Sequence, residues 1–338
     1  MNKTGVLILC IVTGIILSSV CSAQEKNYRI EVLQVTAIEP YQQAYESFLT
    51  ELEKGGLAQG RNLTVNRAIL DFDVEKSGLW SKIGVLMRIK RETSRIVGVK
   101  PDLVLTIGTP ATKYSRDKIV EAGIPLVFTA VAIPEAAGCP SLTEGGKGCT
   151  GATLYMNMKD ALQIVRLAFP TIATVAIIQS DDDNALAHVE EAKKHGPGVG
   201  MTFLSKEVGK SESITTAVNE LLGQGVQAFA IPLDTYYGLR DYEETKKLAQ
   251  ISLEQKIPIF SFVLGKVPGA LLYVGSDFST IGGLSGRQAV KILRDGSDPS
   301  TLPILRQDDL NILVDTNQVK ALGVNLPMEI LQLAKDVD

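Results

Sequence analysis

Residues 101–111 read Pro101-Asp102-Leu103-Val104-Leu105-Thr106-Ile107-Gly108-Thr109-Pro110-Ala111. An apolar run of strand length, Asp102 to Ile107, stops at a glycine, a hydroxyl and a proline, and a helix pattern follows from about Ala111 to Ala122. Strands that read as continuous apolar runs are buried on both faces, which is the habit of parallel sheets covered by helices. Leu126 to Val131 then supplies another buried strand, so the stretch is a strand, a crossover helix and a parallel strand.

The same alternation extends in both directions. Upstream, Arg29–Thr36 and Leu63–Leu70 read as strands, and Tyr41–Lys54 and Leu79–Val97 as amphipathic helices, the first capped by Gly55-Gly56. Arg88, Lys90, Arg91 and Arg95 share the second helix with Leu79, Ile83, Leu86, Ile89 and Ile96 and form its wet face. Downstream, strands are predicted at Thr174–Ile178, Met201–Val208, Ala228–Pro232 and Pro258–Val263, with helices at Asn184–His195, Ser213–Leu222 and Tyr242–Gln255. Gly123-Ile124-Pro125-Leu126-Val127-Phe128-Thr129 corresponds to Lys256-Ile257-Pro258-Ile259-Phe260-Ser261, each leading from a helix into a strand that ends in a hydroxyl. The expected fold class is therefore α/β, with two similar Rossmann-like lobes of parallel sheet flanked by helices. A strand at Leu271–Val274, a helix at Ile281–Arg294, a strand at Leu310–Val314 and a helix at Thr316–Leu322 remain after two complete lobes. The chain must then cross back and add elements to each lobe, which makes a hinge.

Met1 to Ala23 carries Lys3, an apolar stretch from Val6 to Leu17 and a small-residue ending, Cys21-Ser22-Ala23, the pattern of a cleavable secretory leader. Val20 before Cys21 disfavours lipoprotein processing, so cleavage near Ala23 and a soluble periplasmic or secreted product rank above lipid anchoring at Cys21. Lobe boundaries are expected at 24–152 with 276–305, and at 153–275 with 306–338. The chain of 338 residues is 45% hydrophobic and 21% charged with a formal charge of −4, and it has no basic stripe to neutralise phosphates, so nucleic acid is not an expected partner. Cys139 and Cys149 bracket a glycine-rich loop; an oxidising compartment would favour a disulfide there, the alternative being two unlinked thiols.

Ligands of open parallel sheets sit beyond the carboxyl ends of the strands. Gly108-Thr109-Pro110-Ala111-Thr112 offers hydroxyls and free N–H groups at a helix start, suited to a carboxylate, although Thr109 could simply cap the helix. Thr129 and Ala130 end the next strand, Ser180 to Asn184 another, and Asp234-Thr235-Tyr236 a later one. Asp234 is the acidic residue best placed to meet an ammonium group, or else it caps the following segment. Asp181-Asp182-Asp183 reads as a solvated cluster serving a helix dipole.

Catalysis finds little support. His188 and His195 look like part of a surface helix face with Lys193 and Lys194, and not like a metal or base site. Gly145-Gly146-Lys147-Gly148 fails the spacing of a phosphate loop, and Gly283-Leu284-Ser285-Gly286 suits close helix packing better than a nucleophile elbow. No cofactor and no metal are expected.

The two stretches first quoted, with Gly151-Ala152-Thr153, Ile231-Pro232-Leu233-Asp234-Thr235, Val274-Gly275-Ser276-Asp277-Phe278 and Asn311-Ile312-Leu313-Val314-Asp315, resemble the substrate-binding proteins of ABC transporters with the type I periplasmic-binding fold, in the branch that includes binders of tryptophan and other aromatic amino acids. The resemblance implies a monomer of two lobes, three crossovers, a small ligand held in the cleft, an amino acid or similar small organic solute, and a membrane permease as partner. By position it implies ligand contacts from Thr109, Ala111, Thr129 and Ala130 in the first lobe and Asn184, Asp234 and Thr235 in the second, with Thr153 and Asp277 at the hinge. Glu39-Pro40 stands where the family often has His-Pro, Ala132-Ile133 precede Pro134 where an acidic residue is common, and Ser261-Phe262-Val263 replaces a polar position, so the cleft is expected to be more apolar than usual. Signalling to a membrane receptor is an alternative output, and an exported α/β enzyme a third reading.

Overall fold

The computed structural model describes residues 26–70, 79–265 and 267–337, without the side chains of residues 79–82. The predicted leader, Cys10 and Cys21 included, lies outside the described residues. From its first strand the chain runs β1 (Tyr28–Gln34), α1 (Glu39–Lys54), β2 (Leu63–Ile69), α2 (Leu79–Val99), β3 (Leu103–Ile107), α3 (Thr109–Glu121), β4 (Leu126–Val131) and β5 (Cys149–Thr153). It then crosses into α4 (Met158–Ala168), β6 (Thr174–Gln179), α5 (Asp183–His195), β7 (Thr202–Glu207), α6 (Ile214–Leu222), β8 (Ala228–Ile231), α7 (Glu243–Gln255), β9 (Ile259–Ser261) and β10 (Ala270–Gly275). A return crossing delivers α8 (Phe278–Asp295) and β11 (Leu305–Arg306), and a third leads to β12 (Asn311–Val314), α9 (Thr316–Leu322), α10 (Met328–Leu333) and β13 (Lys335–Asp336).

Among the described residues, the first sheet has the order β11-β5-β4-β3-β1-β2 and the second β13-β12-β10-β9-β8-β6-β7. Every pairing in the first is parallel, and in the second only β10 with β12 is antiparallel. β3, β4, β8 and β10 are buried at every position, as their unbroken apolar runs require. Each sheet is covered on both faces: Phe48, Leu105 and Ile281 lie in one layer of the first lobe and Leu33, Ile119 and Phe128 in the other. β5 and β11 reach Thr153 and Arg306, one residue beyond the predicted division at each crossing.

Helix α8 belongs to the first lobe because its small residues let it lie against α1. A Cβ on Gly282 would overlap the Ala44 carbonyl, and one on Gly286 would stand 2.8 Å from the Phe48 carbonyl oxygen. Ser285 uses its hydroxyl to donate to Phe128 O of β4 at 2.9 Å. The Gly283-Leu284-Ser285-Gly286 segment is thus a packing surface.

The crossings are tied by side chains. Thr153 donates to Val131 O and Ala132 O at 2.7 and 3.1 Å and accepts the Tyr155 N–H. Asp277 caps α8 through Thr280, while its own N–H donates to the Gln307 carboxamide oxygen at 3.0 Å, which joins the second crossing to the third. Cys139 and Cys149, for which a disulfide was expected, are buried free thiols here, near enough to perturb one another. The segment predicted to be solvated at Asp181-Asp182-Asp183 is corrected in its middle: Asp182 is buried and caps α5. His188, expected on a wet helix face, is also buried, because α5 turns that side toward Phe262 of the neighbouring strand end.

Candidate functional site

Loops at the carboxyl ends of β1, β6, β8 and β9 converge with the start of α8 on one cavity between the lobes, enclosing about 530 Å³ of space continuous with solvent. The first lobe contributes Ile38, Pro40 and Tyr41 from the entry to α1, and Phe278 from the first turn of α8. From the second lobe come Asp182, Asn184, Leu233, Asp234, Thr235, Tyr237, Tyr242 and Val263. Its walls are mostly apolar and aromatic, while Asp182 and Asp234 supply two carboxyl groups.

Both carboxyls are held firmly. Asp234, 7% exposed, accepts from Ser180 N at 2.5 Å, Ser180 Oγ at 2.7 Å and Tyr236 N at 2.9 Å. It therefore caps the short turn Thr235–Gly238 while lining the cavity. Asp182, 6% exposed, accepts from Asn184 N and the Thr235 hydroxyl, each at 3.0 Å, with Lys210 Nζ at 3.8 Å. Burial, reinforced by the charge of Asp182, pushes the Asp234 carboxyl up to about 6, against the pull of Lys210 and the two backbone donors. A cation placed between the two carboxyls would relieve their repulsion.

Tyr41 faces this pair from the first lobe. Its phenol is raised above the ordinary range by burial and then by the charges of Asp182 and Asp234, so it stays protonated and can donate. The phenol rests on Gly108, which has φ +88°; any Cβ there would meet Tyr41 Oη at 2.7 Å, so glycine is required on both counts. Gly108, not Thr109, is the N-cap of α3. Behind the second lobe's wall, His188 Nδ1 accepts the Leu233 N–H at 3.3 Å, and burial pushes the imidazole down to about 4, which leaves it neutral at pH 7.

Of the residues expected to touch ligand, Asn184, Asp234 and Thr235 line the cavity. Thr109 sits beside it and donates to Asn184 Oδ1 at 2.7 Å. Ala111 packs in the first lobe's core with Leu33 and Ile119, and Ala130, at φ +57°, is buried in the layer on the other face. Thr129 is fully buried, with no hydrogen-bond partner for its hydroxyl among the described residues. Thr153 and Asp277 hold the crossings. Sequence reasoning missed Asp182, Tyr41, Tyr237, Tyr242 and Phe278 as lining residues; the departure at Ser261-Phe262-Val263, whose Val263 lines the cavity, was the signal that the walls would be apolar.

The family model for ABC transporter substrate binding proteins matches residues 81–338. No curated protein matches the chain. Among solved structures, an ABC domain from Streptococcus pneumonia in complex with L-Trp is 20% identical, with a TM-score of 0.75, and covers 91% of this chain and 100% of its own. A conserved domain protein from Vibrio cholerae is 19% identical with a TM-score of 0.77, covering 93% of this chain and 100% of its own. The ligand-free, open structure of a substrate binding protein with adhesive properties from Clostridium difficile is 23% identical with a TM-score of 0.69, covering 92% and 99%. At these identities the likeness is one of fold: two-lobed α/β, of the type I periplasmic-binding kind.

Proposed function

The chain belongs to the ABC transporter substrate binding protein family, and from that premise we propose that it captures a small organic solute outside the cytoplasm and presents the closed form to a membrane permease. The proposed route is export by the leader at residues 1–23, cleavage near Ala23 and action as a monomer without cofactor. Closure follows from the shape of the site: a solute between Tyr41 and Phe278 on one side and Asp234 and Tyr237 on the other touches both lobes only when they meet, so binding energy shifts the hinge equilibrium.

The observation that carries the reading is an interlobe cavity with aromatic walls and two buried carboxyls. A positively charged amine fits the carboxyls and a hydrocarbon or aromatic body fits the walls. Amino acids with apolar side chains meet both demands, and a neighbour solved with L-Trp supports that choice.

A thermal-shift panel on the chain from Gln24 tests the reading, using the standard amino acids, simple aromatic and aliphatic amines, small peptides, sugars and nucleosides. A ligand at about 100 times its Kd adds ~2.7 kcal/mol. A shift with an apolar amine or amino acid, recovered unchanged afterwards, is the expected result. Stabilisation by sugars or nucleosides alone would overturn the amine assignment, and chemical conversion of the compound would overturn the binding role.

A further inference from the structure

The loop between β4 and β5 holds a pair of thiols that the solute site does not use. Cys139 follows Gly138, whose φ of +92° ends a short turn, and Cys139 N–H donates to Pro134 O at 3.0 Å. Cys149 opens β5 and donates its N–H to Gly146 O at 3.2 Å. Across the loop, Gly146 packs on Pro140, 3.2 Å from where a Cβ on the glycine would stand, so the two ends lie side by side and the thiols perturb one another. Arg116 of α3 lies across them, with Nη2 donating to Gly145 O at 3.1 Å. Hydrogen bonding from Cys149, and then the charge of Arg116, hold the Cys139 thiol below its ordinary range despite burial, whereas Cys149 is held above.

The far side of the same loop grips the segment leading into β11. Thr143 O accepts the Ile304 N–H at 2.8 Å, Glu144 pairs with Pro303, and Gly148 N–H donates to Ser300 Oγ at 2.9 Å. β11 is the edge strand from which the chain makes its third crossing. Whatever fixes the loop therefore fixes one strand of the hinge.

We propose that Cys139 and Cys149 are an oxidative modification site, at which an intrachain disulfide fastens this loop and, through it, β11. The oxidant is the disulfide of an exported thiol–disulfide oxidoreductase. Cys139, as thiolate, attacks one sulfur of that disulfide and forms a mixed disulfide, releasing the enzyme's other sulfur as a thiolate that takes up a proton from solvent. Cys149 then loses its proton and attacks the Cys139 sulfur; the bond to the enzyme breaks and the enzyme leaves as a dithiol. Two electrons pass from the protein's thiols to the enzyme's disulfide, and no atom is left over. Cellular oxidation rests on the export reading above, but the chemistry of the pair does not.

The test separates these. Purified, reduced protein from Gln24 is equilibrated with a glutathione buffer poised as oxidising as an extracytoplasmic compartment, then alkylated and weighed intact. Loss of two hydrogen masses, with both cysteines blocked from alkylation, is expected. Oxidised protein should melt several degrees above its dithiothreitol-reduced form, while Cys139→Ser and Cys149→Ser should be indifferent to reductant. Amide exchange at residues 304–306 should slow on oxidation. Retention of both thiols, or glutathione adducts in place of the intrachain bond, would overturn the site; unaltered exchange at 304–306 would overturn its link to β11. Cell fractionation reports on export alone, so a cytoplasmic protein that still oxidises in the buffer would count against the export reading and support the pair.

Discussion

The Thr109 hydroxyl donates to the Asn184 carboxamide oxygen at 2.7 Å, joining the first turns of α3 and α5 across the cleft. Both residues are buried, and beside them Lys113 Nζ meets Asp183 Oδ2 at 3.0 Å in a more exposed ion pair. The hydrogen bond exists only when the lobes are together, so it contributes to the closed form alone. Thr109→Val keeps the shape and removes the donor; it should weaken binding of the compound found by the thermal panel by about three- to tenfold. Small-angle X-ray scattering should show a larger radius of gyration for the variant. Asp183→Ala, which breaks the exposed pair, should have a much smaller effect.

Protonation of Asp234 should govern affinity. Its carboxyl sits at about 6 in the folded protein against an ordinary 3.8. A cationic solute binds the deprotonated form, so affinity should rise as pH passes upward through about 6 and level off above it. Titration calorimetry across that interval would detect the rise. Asp234→Asn should flatten the profile, and Asp234→Ala should weaken binding more than about tenfold; equal affinity in wild type and Asp234→Ala would remove Asp234 from the site. Because its pKa is raised, the group's own contribution to stability is fully present below pH 3.8 and is lost as pH rises through 6.

His188 acts in the opposite sense. Burial holds it at about 4 against an ordinary 6.5, so the unfolded chain binds a proton in this window that the native state refuses. Its contribution is fully present above pH 6.5 and is lost as pH falls through 4, with a magnitude of about 3 kcal/mol. His188→Asn retains an acceptor for the Leu233 N–H but does not titrate. Denaturant unfolding of the two proteins should show the variant losing less stability than wild type over that acid range.

Two adjacent glycines of α8 should respond differently to the same change. Gly282→Ala drives a methyl into the Ala44 carbonyl and should cost about 1–3 kcal/mol, visible as a lowered melting temperature. At Gly283 the new methyl would only touch Glu51 Cγ at 3.4 Å, so Gly283→Ala should be neutral or gain up to about 1 kcal/mol of helix propensity.

The parallel core was legible because β3, β4, β8 and β10 are apolar runs of strand length, and that pattern survives any packing. β5 was not read as a strand: Cys149-Thr150-Gly151-Ala152-Thr153 is small and polar in composition, and it is buried only because β4 and β11 flank it. α4 does carry the helical signal, with Ala161, Leu162, Val165 and Ala168 buried on one face, but the strand before it, β5, gives no pattern to anchor it. Asp234 could be named from its place after a strand. Asp182 could not be told from Asp181 and Asp183, since only the fold decides which of three consecutive carboxylates turns inward. Tyr41 and Phe278 lie far apart in the chain and share the cavity through the second crossing, a relation that local pattern does not encode; their rings stand 6.2 Å apart.

The second crossing also orders events in time. The layer that α1 forms on the first sheet needs α8 to cover it, and that sheet's outer edge needs β11, so the N-terminal lobe cannot finish its core until the ribosome has passed Arg306. A nascent chain that stays incomplete this long remains threadable, the state that the export proposed above would require.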